Sequence, residues 1–284
     1  MFALKNSTST IKFDRSNYVL TSVDYGPIIA SHSTAKGIGQ VGERLINTTL
    51  DTRHVSILGF IKAKSADDMR AKKTALFRMC DPRHEFQILP DAVTALTCYA
   101  TDSVKFTASK ITNNDRVAQF VIDAFCPDPL FSDAAARYRK IAEWVSNFIW
   151  PLSIPEDGFT FANRSENLIA TLTNKGDVET GLLIRFYADA TVSTPVLTNV
   201  ETGEYIKLNR TFAPGETVVV NTNYGQEGVT SIIGGTVTDV INDFGLDSTF
   251  LQVEPGETRL HFTAATNASS MIVTIYYFQK FLGV

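Results

Sequence analysis

At 284 residues, with a formal charge of −4, 44% apolar and 20% charged side chains, the chain has the composition of a globular protein of about two domains. So small a net charge argues against nucleic-acid binding by the chain as a whole, and no apolar run approaches the ~18 residues that span a bilayer. The charge is unevenly placed: residues 1–135 carry 16 basic and 14 acidic side chains, net +2, and the remainder carries 10 and 16, net −6. The acidic half is a poor grip for phosphate, while the near-neutral half leaves protein–protein contact open.

The segment from Met1 to Ser7 has no charged-then-apolar signal pattern, so the expectation is a protein made and kept in a cytoplasm unless it leaves inside an assembly. Cys80, Cys98 and Cys126 are an odd number at wide spacings, neither a disulfide framework nor a zinc pattern, and read as buried thiols. Gly37-Ile38-Gly39-Gln40-Val41-Gly42 is a literal G-x-G-x-x-G. A dinucleotide site needs those glycines between a strand and a helix, so that pyrophosphate meets helical N–H groups. Glu43 to Thr52 is polar and β-branched instead, so the glycines read as a loop that reaches a neighbouring subunit.

Nineteen Phe and nine Tyr lean the chain towards strands. Arg53 to Ile61 reads as one. Ser65 then N-caps a helix, with Asp68 as its capping-box acid; Ala66, Met69, Leu76, Phe77 and Cys80 share a face, and Asp81-Pro82 ends it. Phe86 to Leu89, Val104 to Ile111 and Val117 to Phe125 read as further strands, the last two joined by a turn at Asn113-Asn114-Asp115. Phe125-Cys126-Pro127-Asp128-Pro129-Leu130-Phe131 follows, where Pro127 and Pro129 flank Asp128 and stop the strand; this is the predicted domain joint.

Tyr138, Ile141, Val145, Phe148 and Ile149 recur at nearly helical spacing and predict a short helix within Ala134 to Ile149, ended by Trp150-Pro151. Beyond Phe159 the punctuation is all-β. Asn174 to Asp177 is a turn, Gly181 to Tyr187 a strand, and Glu201-Thr202-Gly203-Glu204 closes a hairpin between Val196-Leu197 and Tyr205 to Leu208. Pro214-Gly215 and Pro255-Gly256 suit the central positions of type II turns that lead into Val218 to Val220 and Leu260 to Phe262. Met271 to Phe278 is the closing strand. Short strands with turns at this spacing suggest a sandwich.

Taken in order, the Cys126-Pro127-Asp128-Pro129-Leu130-Phe131 joint, Asn174 to Gly181, Leu197 to Gly203, Phe250 to Gly256 and Tyr276 to Val284 resemble siphophage distal tail proteins over nearly the whole chain. Pro255-Gly256-Glu257-Thr258 departs from the Pro-Gly-Asn-Asn turn more usual there, and the Ala134–Trp150 connector is longer and more apolar. The resemblance implies a mainly β protein: an N-terminal split β-barrel, or belt, with a packed helix over residues 1–134, and a connector plus galectin-like β-sandwich over residues 135–284. It also implies a non-enzymatic virion component of the tail tip, assembled in the host cytoplasm. Six copies would form a ring around the tail channel, between the tail tube protein and the tail-tip hub protein. Such a ring would be a platform for receptor-binding proteins in host attachment, with no membrane anchor, no cofactor and no specific grip on the genome that passes through. The loop Gly37, Ile38, Gly39, Gln40, Val41 and Gly42 is then the candidate ring or tube contact. Six copies would bring the outer halves to about −36, which helps keep particles apart.

Other chemistry is thinly supported. His32, His54, His84 and His261 are scattered singly, and no G-x-S-x-G elbow is present. Glu201 and Glu204 could pose as paired carboxylates, but a Thr-Gly turn offers no burial for a general acid. Trp144, Trp150, Tyr224 and Tyr276 could stack on sugar rings, which keeps a carbohydrate-binding sandwich as the alternative function.

Overall fold

The computed structural model describes residues 1–141, 144–146, 162–164 and 168–283. They are mainly β, with one α-helix among them. The chain divides into two units, Met1–Ala134 with Phe281–Val284, and Ala135–Lys280.

The first unit is built on an antiparallel sheet in the order Thr10–Lys12, Ala3–Lys5, Glu85–Leu89, Thr94–Ala100, Val117–Cys126, Arg53–Lys62, Tyr18–Asp24. Among the described residues the path ends on an unpaired strand edge at each side, so the sheet does not close. Its two longest strands, Arg53–Lys62 and Val117–Cys126, pair over ten residues. They alternate strictly: Val55, Ile57 and Ile61 face inward from one, Ala118, Phe120, Ile122 and Ala124 from the other. Burial of one such Ile or Phe is worth roughly 1.5–3 kcal/mol, so this pair anchors the unit. Of the strand predicted from Val104 to Ile111, only Lys105–Phe106 forms, because the chain then turns through Ser109 to Asn114, where side-chain and backbone bonds replace the ladder.

The helix runs Ala66–Met79, and its Ser65 cap accepts from the backbone N–H of Asp68. Asp68 reaches back to the N–H of Lys64, one residue earlier than a standard capping box, and to Lys72. Met69, Leu76, Met79 and Cys80 are buried. Ala66 and Phe77 were expected on that face but are exposed; Phe77 instead lays its ring edge-on to Phe106.

The cysteine expectation is overturned for two of the three residues. Cys98 and Cys126 form a disulfide, while Cys80 is free and buried. The register explains the pairing. Phe125 lies opposite Tyr99 and Ala124 opposite Ala100, which brings Cys126 level with Cys98, both on the inward face. Spacing along the chain carries no trace of this.

The second unit is a two-sheet sandwich. One sheet runs Arg137–Ile141, Met271–Tyr277, Thr180–Ala188, Thr217–Asn221, Gly228–Ile233, Thr236–Asp239. The other runs Ile169–Asn174, Gly256–Thr266, Val192–Asn199, Tyr205–Lys207. Leu182, Ile184, Phe186, Val273 and Ile275 of the first meet Leu172, Leu197, Leu260 and Phe262 of the second in one core. Of the two expected Pro-Gly turns, Pro214-Gly215 forms one, while Gly256 already opens the strand Gly256–Thr266. Glu216 N–H closes on Ala213 carbonyl around Pro214-Gly215, with Gly215 at φ +82°, a type II geometry that a side chain would resist. Asn199 brackets the Glu201–Glu204 turn with its backbone and side chain.

The predicted helix within Ala134 to Ile149 is replaced by strands Arg137–Ile141 and Trp144–Ser146. Arg137–Ile141 pairs with Met271–Tyr277, so Tyr138 stands outward beside Tyr276 while Ile141 enters the core. An i, i+3 spacing that would align two residues on a helix puts them on opposite faces of a strand. Phe148, Ile149 and Trp150 lie outside the described residues.

Candidate functional site

A hairpin, Ala30–Ala35 paired with Arg44–Leu50, forms a two-stranded sheet of its own. It leaves the main sheet between Tyr18–Asp24 and Arg53–Lys62, which are paired with each other, and is closed at its base by Asp51 N–H donating to Ile29 carbonyl at 2.8 Å. All 23 residues from Ile29 to Asp51 are exposed.

Gly37–Gly42 is the tip. Gln40 N–H donates to Gly37 carbonyl at 3.2 Å, Gln40 Oε1 accepts from Gly37 N–H at 3.0 Å, and Gly39 and Gly42 take positive φ. Ile38 and Val41 stand fully out from it. Leu45, Ile46, Leu50 and Ile29 continue the apolar content along the stem. Ile46 is the extra residue of a bulge, since Ser33 faces Asn47 and Thr34 faces Leu45. Polar side chains hold the two strands together: Ser31 to Asp51 at 2.8 Å, His32 to Thr48 at 2.9 Å, and Thr34 to Glu43.

This arrangement is energetically incomplete. A two-stranded hairpin in water is marginal at best, and here no buried face supports it. Six large aliphatic side chains on one exposed arm are the composition of a surface that binds. The sequence placed the glycine loop; it did not reveal the two strands, because Ala30–Ala35 is small and polar.

The other sequence-level candidates are placed separately. Pro127, Asp128 and Pro129 bend the chain between Val117–Cys126 and Phe131–Asp133 inside the first unit, with Asp128 Oδ1 accepting from Leu130 N–H at 3.0 Å. Glu201 takes Arg259 Nε at 2.7 Å and its N–H at 2.9 Å; those bonds hold the carboxyl below the usual range, the reverse of what a general acid needs. Glu204 bonds Thr202 in its own turn. The Tyr224 hydroxyl donates to Glu179 at 3.1 Å, and Tyr276 lies tilted against Tyr138, so the two tyrosines take different partners. His54 sits beside Phe125, and His84 lies 3.5 Å from Asp81. Among the described residues no group of three or more His, Cys, Asp or Glu could hold a metal ion, and no helix is long and apolar enough to cross a membrane.

Comparison with known proteins matches two family models. Residues 8–126 match a phage tail protein RIFT-related domain, and residues 175–281 match the C-terminal domain of a siphovirus-type tail component. A search of curated protein sequences found no match. Among solved structures, the Dit protein of phage SPP1, described as a paradigm of the hub adsorption apparatus in phages infecting Gram-positive bacteria, aligns with a TM-score of 0.67 at 12% identity over 99% of this chain and all of that one. A chain of the phage p2 baseplate in its activated conformation with calcium aligns at 0.58 and 8% identity, over 100% of this chain and 99% of that one; the strontium form gives 0.57 and 8%, with the same coverage. At these identities the likeness speaks for the fold, while the family models speak for descent on either side of the middle of the chain. The chain belongs to the siphophage distal tail protein family.

Proposed function

We propose that six copies of this tail component form a ring at the distal end of the tail tube, linking the tube to the tail-tip hub and the receptor-binding apparatus used in host attachment. Residues 1–134 form the ring and residues 135–284 its outward sandwich. The hairpin from Ile29 to Asp51 makes the ring or tube contact, with Gly37–Gly42 leading. The protein is structural rather than catalytic, is assembled in the host cytoplasm, and works in the virion.

The observation that carries the reading is the arm itself: 23 consecutive exposed residues with Ile38 and Val41 at the tip and no packing partner among the described residues. Isolated, such an arm gains nothing from its apolar side chains. Laid on a neighbouring subunit it buries them, at about 25 cal/mol per Å². Fold likeness to hub and baseplate proteins supports the same reading.

Light scattering of the purified protein tests it. The expected species is six times the 31.3 kDa of one chain, seen in negative stain as a ring with a central hole. Ile38→Asp with Val41→Asp should dissolve that species while leaving the thermal midpoint unchanged, because surface substitutions of this kind stay within about 0.5 kcal/mol. A wild-type chain that stays monomeric both alone and with the tail tube protein would count against the ring.

A further inference from the structure

The Thr10–Lys12 strand ends the sheet of the first unit, and no described residue pairs with its outer side. Phe13 N–H donates to Phe2 carbonyl and Asn6 N–H to Ser9 carbonyl, both at 3.0 Å, while Leu4 faces Ile11. Ser9, Ile11 and Phe13 therefore turn their backbone groups towards Ala3–Lys5, and Thr10 and Lys12 turn theirs away. That outer side forms one wall of a groove of about 600 Å³. Lys72, Ala75 and Arg78 of the helix form another, and Tyr18, whose hydroxyl donates to Lys72 carbonyl at 3.1 Å, closes the end.

The groove has a charge surplus. Lys72 is engaged by Asp68 at 3.0 Å and by Lys62 carbonyl at 2.8 Å. Lys12 and Arg78 are exposed and take no hydrogen bond or ion pair from the described residues. The carboxylate that also lines the groove, Asp14, accepts from the N–H groups of Ser16 and Asn17 at 2.8 and 2.6 Å and stays charged, so with Lys72 paired to Asp68 the surplus is one positive charge. Two unpartnered cations thus flank two outward N–H and two outward C=O groups.

We propose that this groove is a strand-addition site for an extended acidic segment of another protein. The segment's backbone would pair with Thr10 and Lys12 and lengthen the sheet by one strand, while its alternate side chains bring carboxylates to Lys12 and Arg78. Charge complementarity selects this occupant: an unpaired edge flanked by cations accepts a strand and repels a basic one. The site is independent of the arm from Ile29 to Asp51 and does not rest on the ring.

The test titrates the full-length protein with a blocked hexapeptide of alternating valine and glutamate, and with its valine–lysine counterpart, followed by calorimetry and amide exchange. The acidic peptide should bind and slow exchange at Thr10 and Lys12 by about tenfold, and the lysine peptide should bind about tenfold more weakly or not at all. Lys12→Glu with Arg78→Glu should reverse that preference. Thr10→Pro, which removes an outward N–H without touching the pairing to Ala3–Lys5, should weaken the acidic peptide and leave the charge preference intact. Equal binding of both peptides, or binding of neither, would overturn the proposal. So would self-association of the wild type that the double charge reversal abolishes, since that would give the groove to a second copy.

Discussion

Arg53 and Leu282 stand 229 residues apart, yet Arg53 Nη2 donates to the Leu282 carbonyl at 2.9 Å. The same guanidinium lies 4.9 Å over the Phe131 ring, and Arg53 is only 3% exposed. A buried cation is costly unless something answers it; here a carbonyl and an aromatic face do so, and both would be lost together. Arg53→Met, which keeps the apolar stem, should cost about 2 kcal/mol in urea unfolding, the scale of a hydrogen bond to a charged group. Lys105→Met is the control. Its pairs with Asp102 and Asp123 are exposed, and the expected change is close to zero.

That contact also marks where sequence reading ends. Strands with strict alternation, such as Arg53–Lys62 and Val117–Cys126, were legible because one buried face writes a period of two. Turn chemistry was legible at Pro214-Gly215 and Asn199 to Glu204, where local residues dictate local geometry. Pairing between distant segments was not. The Cys98–Cys126 bond and the Arg53–Leu282 contact are set by pairing across the fold, and Thr94–Ala100 went unread because burial of Thr94 and Ala95 alongside Leu96, Cys98 and Ala100 blurs its period of two. At the candidate site, the glycines announced a loop, while the arm's exposure depends on what does not pack against it, which no motif encodes.

Gly26 is the hinge position of the arm. It adopts φ +62°, and a Cβ there would run into the backbone carbonyl of His54, the strand residue beside which the chain departs. Backbone cannot yield as a flexible side chain would. Gly26→Ala should therefore destabilise the first unit by about 2 kcal/mol and reduce assembly as well, since the arm must leave at a new angle. The measurement is paired: a thermal midpoint and the assembled fraction by light scattering. Gly39→Ala, also at positive φ but with open space around its Cβ, should cost roughly 1 kcal/mol or less.

In the sandwich, Arg210 bridges Glu216 and Asp243, each at 2.7 Å. Glu216 is 1% exposed, and it also accepts from Ser231 Oγ at 2.7 Å and Ala213 N–H at 2.9 Å. Removing one partner of such a pair strands the other, so Arg210→Met should cost about 3–5 kcal/mol. Adding Glu216→Gln to that variant removes the stranded charge and keeps its acceptor for Ser231, though the amide NH2 then replaces the acceptor of the Ala213 N–H. The double variant should recover about 1–3 kcal/mol of the loss, a coupling that a double-mutant cycle reads directly.

The cysteines give the last prediction. Denatured without reductant, the chain should titrate one thiol, Cys80, and after reduction three. Reduction should also lower the stability of the first unit by about 3.5 kcal/mol, the chain-entropy scale for a loop of 28 residues. Burial pushes the Cys80 thiol up to about 12, against 9.0 for the free group. The native state therefore holds its proton where the unfolded chain has released it, so this contribution is whole below pH 9 and is lost as pH rises towards 12. Cys80→Ala should remove about 1.4 kcal/mol per pH unit from the alkaline slope in that window. The slope that remains above pH 10 belongs in part to Tyr18, which burial and then Asp68 raise to about 12, and Tyr18→Phe should flatten it further. Urea midpoints of the wild type and both variants at pH 8, 9.5 and 11 separate the two groups, because only the thiol acts between pH 9 and 10.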